Sequence, residues 1–268
     1  MLSMGFVEIH FHLLPGVDDG PASMEASVEL ARVAAGEGTQ AIVATPHVSS
    51  YFPTDVSSLP ERVREVAERL REERTPVAVR CGAELAPEMV GRLSQAELES
   101  IAQGPPGKRW LMLEAPFAGL DDVFTQAAEE LRDRGFAVVV AHPERSLAGR
   151  QSGWDVLERE LRAGSAIQLN AWSLAGRYGE RVRTDALRLL HATPLVAVAS
   201  DAHGPLRTPS LKLALGALSE VGHHDPHSLI AAVPRRLLEQ GLPARSPSAA
   251  ASAGVSRARY RRHLTVGR

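Results

Sequence analysis

One cysteine, Cys81, stands in 268 residues, which excludes a disulfide within the chain. A thiolate-based phosphate loop is excluded too, because it needs an arginine six positions after the cysteine and Pro87 stands there. Cys81 reads instead as a small core residue near a strand end. Long apolar runs are also missing: the longest, Phe136–Ala141, is far too short to span a bilayer. No basic region followed by an apolar core opens the chain, so export is not indicated and a cytoplasmic protein is expected. Charge of one sign is not in excess, with a formal net charge of −2 and 23% charged residues. Neither a nucleic-acid partner nor membrane insertion is therefore expected.

What is present is an alternation of short apolar runs and amphipathic segments. Strands are predicted at Met4–Phe11, Ala41–Thr45, Val77–Arg80, Trp110–Leu113, Phe136–Ala141, Ala166–Leu169 and Leu195–Ala199. Ser23 is placed to cap a helix ending before Gly36 and Gly38, and Pro60 to open a charged helix with Val63, Val66, Ala67 and Leu70 on one face. Ser94 with Glu97 forms a capping-box pattern, and Asp121 caps a helix through Arg134. Further helices are predicted around 154–162, 184–191, 210–221 and 226–240, with Pro234 kinking or splitting the last. Nearly all-apolar strands between amphipathic helices imply a parallel α/β sheet covered on its outer face. The turn after the first strand lacks the Gly-rich dinucleotide fingerprint, so the reading is a closed barrel, with seven strands counted. The barrel domain is assigned to residues 1–242. Residues 243–268, rich in Ala, Ser and Pro and then basic at Arg257–Arg262, read as a disordered tail or a weak docking site for an acidic partner or membrane surface.

Seven places put a metal-binding side chain at or just after a strand. His10 and His12 stand two apart on the first strand and share a face. Asp18 and Asp19 follow in the next turn, and His47, Glu84, Glu114, His142 and Asn170 close the middle strands. Asp201 and His203 repeat the alternate spacing on the last. A carboxylate aimed into a barrel mouth is costly unless paired or coordinated; Arg80 and Arg145 are the alternative partners for Glu84 and Glu114. The nine groups His10, His12, Asp19, His47, Glu84, Glu114, His142, Asp201 and His203 exceed the needs of one ion and fit two or three. A donor set of nitrogen and oxygen without thiolate suits Mn, Fe or Zn. Arg145 and Arg207 follow closely, as binding a tetrahedral oxyanion requires. His191, His223, His224, His227 and His263 receive no role, and Asn170 and Trp172 are placed beside the pocket.

Those segments resemble the polymerase-and-histidinol-phosphatase (PHP) superfamily, and within it the CpsB/CapC/YwqE type of bacterial manganese-dependent tyrosine phosphatase. The resemblance rests on Glu8-Ile9-His10-Phe11-His12-Leu13-Leu14-Pro15-Gly16-Val17-Asp18-Asp19-Gly20, Thr45-Pro46-His47, Gly82-Ala83-Glu84-Leu85, His142-Pro143-Glu144-Arg145 and Ser200-Asp201-Ala202-His203. It implies a distorted (β/α)7 TIM-like barrel with three divalent ions, Mn foremost, at the C-terminal rim. One ion would lie on His10, His12, Glu84 and Asp201, a second on Glu84, Glu114 and His142, and a third on Asp19, His47 and His203. Arg145 and Arg207 match the family's phosphate-binding arginines.

The resemblance further implies hydrolysis of phosphotyrosine on protein by a metal-activated hydroxide, with Asp201 or His203 protonating the leaving group. The implied partner is a bacterial tyrosine autokinase of exopolysaccharide or capsule synthesis; a homo-oligomer is compatible with the sequence. Two alternatives stand beside it: a histidinol-phosphate or other small-molecule phosphatase on the same scaffold, and a non-enzymatic metal-binding regulatory module. Substrate discrimination is expected in the loops Ser49–Leu59, Gly104–Lys108 and Ala171–Arg183.

Overall fold

The computed structural model of the protein describes residues 5–147, 151–193 and 195–244. Its strands are β1 (Phe6–Phe11), β2 (Thr39–Ala44), β3 (His47–Val48), β4 (Ala78–Cys81), β5 (Glu84–Leu85), β6 (Trp110–Glu114), β7 (Ala137–Ala141), β8 (Ala166–Asn170) and β9 (Val196–Ala199). The helices are α1 (Met24–Glu37), α2 (Leu59–Glu72), α3 (Gln95–Ile101), α4 (Asp122–Asp133) and α5 (Glu144–Leu147). They continue with α6 (Gln151–Arg162), α7 (Ala171–Leu174), α8 (Glu180–Leu189), α9 (Leu211–Glu220) and α10 (Val233–Gln240).

The predicted seven strands appear as nine segments because two of them are interrupted. Pro46 has no N–H to offer a ladder, and the Thr45 N–H turns away to the Phe11 carbonyl at 2.9 Å, so β2 breaks before β3. Gly82 and Ala83 part β4 from β5 in the same way. Parallel pairing nevertheless carries across the break, through Gly82 N–H to the Ala44 carbonyl (2.9 Å) and Glu84 N–H to the Pro46 carbonyl (3.0 Å). The strands thus form two parallel ladders, β1-β2-β4 and β3-β5-β6-β7-β8-β9. At the rim the circuit returns to its start: the Asp201 N–H reaches the His10 carbonyl (3.1 Å), and the His12 N–H reaches the Ala202 carbonyl (2.9 Å). A distorted barrel results, as expected.

Local chemistry sets the helix ends. The Ser23 hydroxyl accepts from the Ala26 N–H, and Gly38, at φ 106°, closes α1 in the left-handed conformation that favours glycine. Ser94 and Glu97 make a complete capping box, and Asp121 accepts from the Phe124 N–H at 3.0 Å. Before α10 the chain makes a π-helical turn, Ser228–Ala232, so Pro234 falls in the first turn of a new helix. The short helices α5 and α7 carry too few residues to show a period, which is why the sequence pattern does not announce them. Met4 and residues 245–268, including the basic cluster 257–262, lie outside the described residues.

Two apolar layers result. The larger lies between strands and helices; the smaller lines the barrel interior with Ile9, Val43, Trp110, Met112 and Val139 beside alanines 137, 141, 166, 197 and 199. From α10 and just beyond, Leu237, Leu238 and Leu242 join this inner layer. The buried Trp110 indole donates to the Leu237 carbonyl (2.9 Å), and the Leu242 N–H donates to the Lys108 carbonyl (2.9 Å). Helix α10 therefore stoppers the end from which the strands start, leaving polar side chains to the other end.

Candidate metal centre

Alternation of inward positions delivers the donors of β6 and β9, whereas on β7, with Ala137, Val139 and Ala141 inward, the bend at His142 does so. On β6, Trp110 and Met112 face the inner core and Glu114 comes next inward; on β9, Ala197 and Ala199 precede Asp201. Strand β1 would break this rule if it were regular, since Val7 and Ile9 belong to the inner core and His10 would then turn outward. Its register against β2 shifts between Glu8 and Phe11, and the irregularity resets the phase so that His10 and His12 both enter the site. His142 (φ 32°) and Asp201 (φ 52°) adopt the left-handed region, leaving Arg74 as the only other non-glycine residue there among those described. The backbone is bent where the donors must converge.

Glu84, 1% exposed, lies at the centre. Its Oε1 is 2.8 Å from His142 Nε2; its Oε2 is 3.0 Å from His47 Nδ1, 3.2 Å from His10 Nε2 and 3.4 Å from His12 Nε2. Asp201 Oδ1 stands 3.4 Å from both His10 Nε2 and His12 Nε2. Asp19 Oδ1 is 3.2 Å from His203 Nε2 and 3.7 Å from His47 Nε2. All nine predicted groups thus meet at one rim. They assemble as His12–Asp19–His47–His203, His10–His12–Asp201, His10–Glu84–His142 and His47–Glu84–Glu114. These groupings overlap, with His10, His12, His47 and Glu84 each shared by two of them. Arg80 donates to Gln103, and Arg145 pairs with Asp201, so neither alternative partner neutralises Glu84 or Glu114 among the described residues.

The donor set fits cations on its own chemistry. The Gln168 Oε1 accepts the His142 N–H (3.1 Å), so it must also accept from His10 Nδ1 (2.9 Å). The Asp18 carboxylate accepts from His12 Nδ1–H (2.6 Å), and the Asp201 carbonyl accepts from His203 Nδ1–H (2.8 Å). In each neutral ring the Nε2 lone pair is then turned inward, towards carboxylate oxygens and, for His10 and His12, towards one another at 3.3 Å. Lone pairs facing lone pairs require a proton or a metal ion between them. Glu84 Oε2 and His203 Nε2 are indeed buried without a hydrogen bond among the described residues.

The titration behaviour tells the same story. Burial pushes Glu114 up to about 8, with the Glu84 charge adding to it. Burial opposes charge on His12 as well, but Asp18, Asp201 and Glu84 outweigh it and hold the ring well above its ordinary range. Without cations, the site balances its negative charge only by taking up protons.

Arg145 Nη1 lies 3.1 Å from Asp201 Oδ2, and Arg207 Nη1 lies 3.6 Å from the same atom, so both guanidinium groups close one side of the site. Asn170 donates to that oxygen too, at 2.9 Å. Trp172 packs on Tyr178, whose ring lies 4.6 Å from the Arg145 guanidinium carbon.

Sequence reasoning assigned no role to Asp18 or to Gln168, which fix two imidazoles. The signal for Gln168 was a polar residue at an inward position of an otherwise apolar strand. One loop expectation is corrected: Gly104–Lys108 precedes β6 and packs at the α10 end, away from the donors, because loops entering strands lie opposite those leaving them. The loop leaving β6, by contrast, brings Phe117 beside His142 and Arg145. Asp18→Asn is expected to weaken binding of Mn by roughly 10- to 100-fold through loss of the His12 tautomer. Calorimetric titration of metal-free protein reads this directly, and an unchanged affinity would remove Asp18 from the site.

Comparison with known proteins agrees with this architecture. Tyrosine-protein phosphatase YwqE of Bacillus subtilis (strain 168) is 32% identical over 198 residues, covering 74% of this chain and 77% of that protein. Tyrosine-protein phosphatase CpsB of Streptococcus pneumoniae is 24% identical over 253 residues, covering 88% and 99%. A crystal structure from work on YwqE and CpsB, described as unique metal-dependent tyrosine phosphatases, superposes with a TM-score of 0.75 at 27% identity, covering 90% of this chain and 97% of that one. The family model for capsular polysaccharide synthesis, CpsB/CapC, matches residues 6–239, and the chain belongs to that family.

Proposed function

We propose that this protein is a metal-dependent protein-tyrosine phosphatase whose substrate is a phosphotyrosine-bearing bacterial autokinase of capsule or exopolysaccharide synthesis. The observation that carries the reading is the convergence of nine nitrogen and oxygen donors and two arginines on a single rim. The relatives' names point the chemistry to phosphotyrosine. Three divalent ions, with Mn favoured over Fe or Zn, suit a set of five imidazoles and four carboxylates that contains no thiolate. Such ions supply charge stabilisation at the phosphoryl oxygens and acidify the attacking water.

The chain's own residues do the rest. Arg145 and Arg207 grip the phosphoryl oxygens in bidentate fashion and neutralise charge as the bond to the leaving oxygen lengthens. Asp201 holds both guanidinium groups ready through its Oδ2. The departing phenol has a pKa near ~10 and needs little protonation. Asp201 or His203 would provide it through water. Cys81 offers no nucleophile, as burial pushes its thiol up to about 11. Among the described residues no helix is long and apolar enough to cross a membrane.

The deciding experiment is metal analysis of purified protein alongside turnover of a phosphotyrosine peptide. Activity is expected to vanish on exhaustive chelation and to return with Mn. Full activity in metal-free protein would refute the reading. Faster turnover of histidinol phosphate or a nucleoside monophosphate than of the peptide would move the assignment to a small-molecule phosphatase.

A further inference from the structure

The groups that hold phosphate do not distinguish one phosphomonoester from another, so selectivity must come from what stands beside them. Two phenyl rings stand there. Phe52, on the loop leaving β3, stacks on the His47 imidazole with centroids 5.3 Å apart and planes within 6°. Phe117, on the loop leaving β6, lies parallel to His142 within 7°, at 6.3 Å. Those two imidazoles approach different oxygens of Glu84, His47 at Oε2 and His142 at Oε1. The rings therefore flank the central carboxylate on two sides. Phe117 also lies 4.5 Å from the Arg145 guanidinium carbon, so its ring begins where the phosphate grip ends.

Exposure separates Phe117 from core packing, while Phe52 is half-buried. Leu206 (91%), Tyr51 (85%) and Phe117 (60%) are the most exposed large apolar side chains among the described residues. All three lie on loops leaving strands at the site's rim and stay largely exposed among the described residues. Apolar surface gathered at one mouth marks a place where apolar surface is received.

We propose that Phe117 and Phe52 are specificity-determining residues that wall an aryl subsite next to the phosphate position. The inference rests on the phosphotyrosine reading and deepens it: the tyrosyl ring packs against these two rings while its phosphate meets Arg145 and Arg207. A short alkyl phosphate, such as a phosphoserine side chain, leaves both walls in water. Aromatic pairs of this kind contribute about 3- to 10-fold in affinity each.

Calorimetric binding of phenylphosphonate and methylphosphonate to the Mn-loaded protein tests this without any turnover. Methylphosphonate reports the phosphate grip alone, and the ratio of the two dissociation constants reports the aryl subsite. The ratio in favour of phenylphosphonate is expected to fall about 3- to 10-fold in Phe117→Leu and in Phe52→Leu, and to be restored in Phe117→Tyr. An unchanged ratio in both leucine variants overturns the proposal. So does an equal weakening of both ligands in Phe117→Leu, since the ring would then act only through Arg145. Turnover of the phosphotyrosine peptide by the unaltered protein is scored separately. Its absence beside a ring-dependent ratio would defeat the phosphotyrosine reading and leave the aryl subsite standing.

Discussion

Glu84→Gln is expected to lower kcat on a phosphotyrosine peptide by roughly 10³-fold or more, equivalent to several kcal/mol of lost transition-state stabilisation. The change is nearly isosteric, so the effect reads charge and donor type rather than shape. Glu84 is buried, and its two oxygens lie within 3.4 Å of four imidazoles. Burial alone would favour the neutral acid, but the surrounding imidazoles hold the carboxylate well below its ordinary range, so the group that Gln replaces is an anion. An amide supplies one weak acceptor and one donor, and that donor points at positions where cations are to sit. Steady-state kinetics with metal content measured on the same sample checks the prediction. Circular dichroism confirms that the barrel persists. A kcat within tenfold of the parent at full metal content would show that Glu84 is peripheral.

The second large effect is on stability. Trp110→Ala is expected to cost about 3–5 kcal/mol, the range for deleting a fully buried indole. Trp110 is 1% exposed in the inner core, and its N–H is satisfied by the Leu237 carbonyl. Removing the ring opens a cavity under α10 and leaves that carbonyl without its partner. A shift of the urea midpoint at constant slope would measure the loss. A change under about 1 kcal/mol would mean that α10 holds the barrel end by other contacts.

Most of this architecture can be read from the residues in order, since apolar runs and helix caps carry local information. Ser23, Ser94 and Asp121 cap the helices they were expected to cap, because a cap is decided within four residues. The donors were equally legible, as each stands at the end of an apolar run. What could not be read is whatever depends on residues far apart meeting. Gln168 sits 158 positions from the His10 that it orients, and no local pattern announces that hydrogen bond. The two breaks that turn seven strands into nine segments arise from Pro46 and Gly82 acting against neighbouring strands. That His10 and His12 both enter the site depends on β1's register shift, a property of pairing that the sequence of β1 alone does not carry. The aryl walls escaped for a similar reason: Phe52 and Phe117 look like ordinary loop residues until the fold sets them on His47 and His142.

The stopper made by α10 has a kinetic meaning. With Trp110, Met112 and the three leucines filling the far end of the barrel, the donors are approached from their own rim. Whatever arrives must leave by the way it came, past the same rings and arginines. Departing orthophosphate and the next incoming ester then contend for one passage, so orthophosphate will inhibit competitively and release can govern the pace of the cycle.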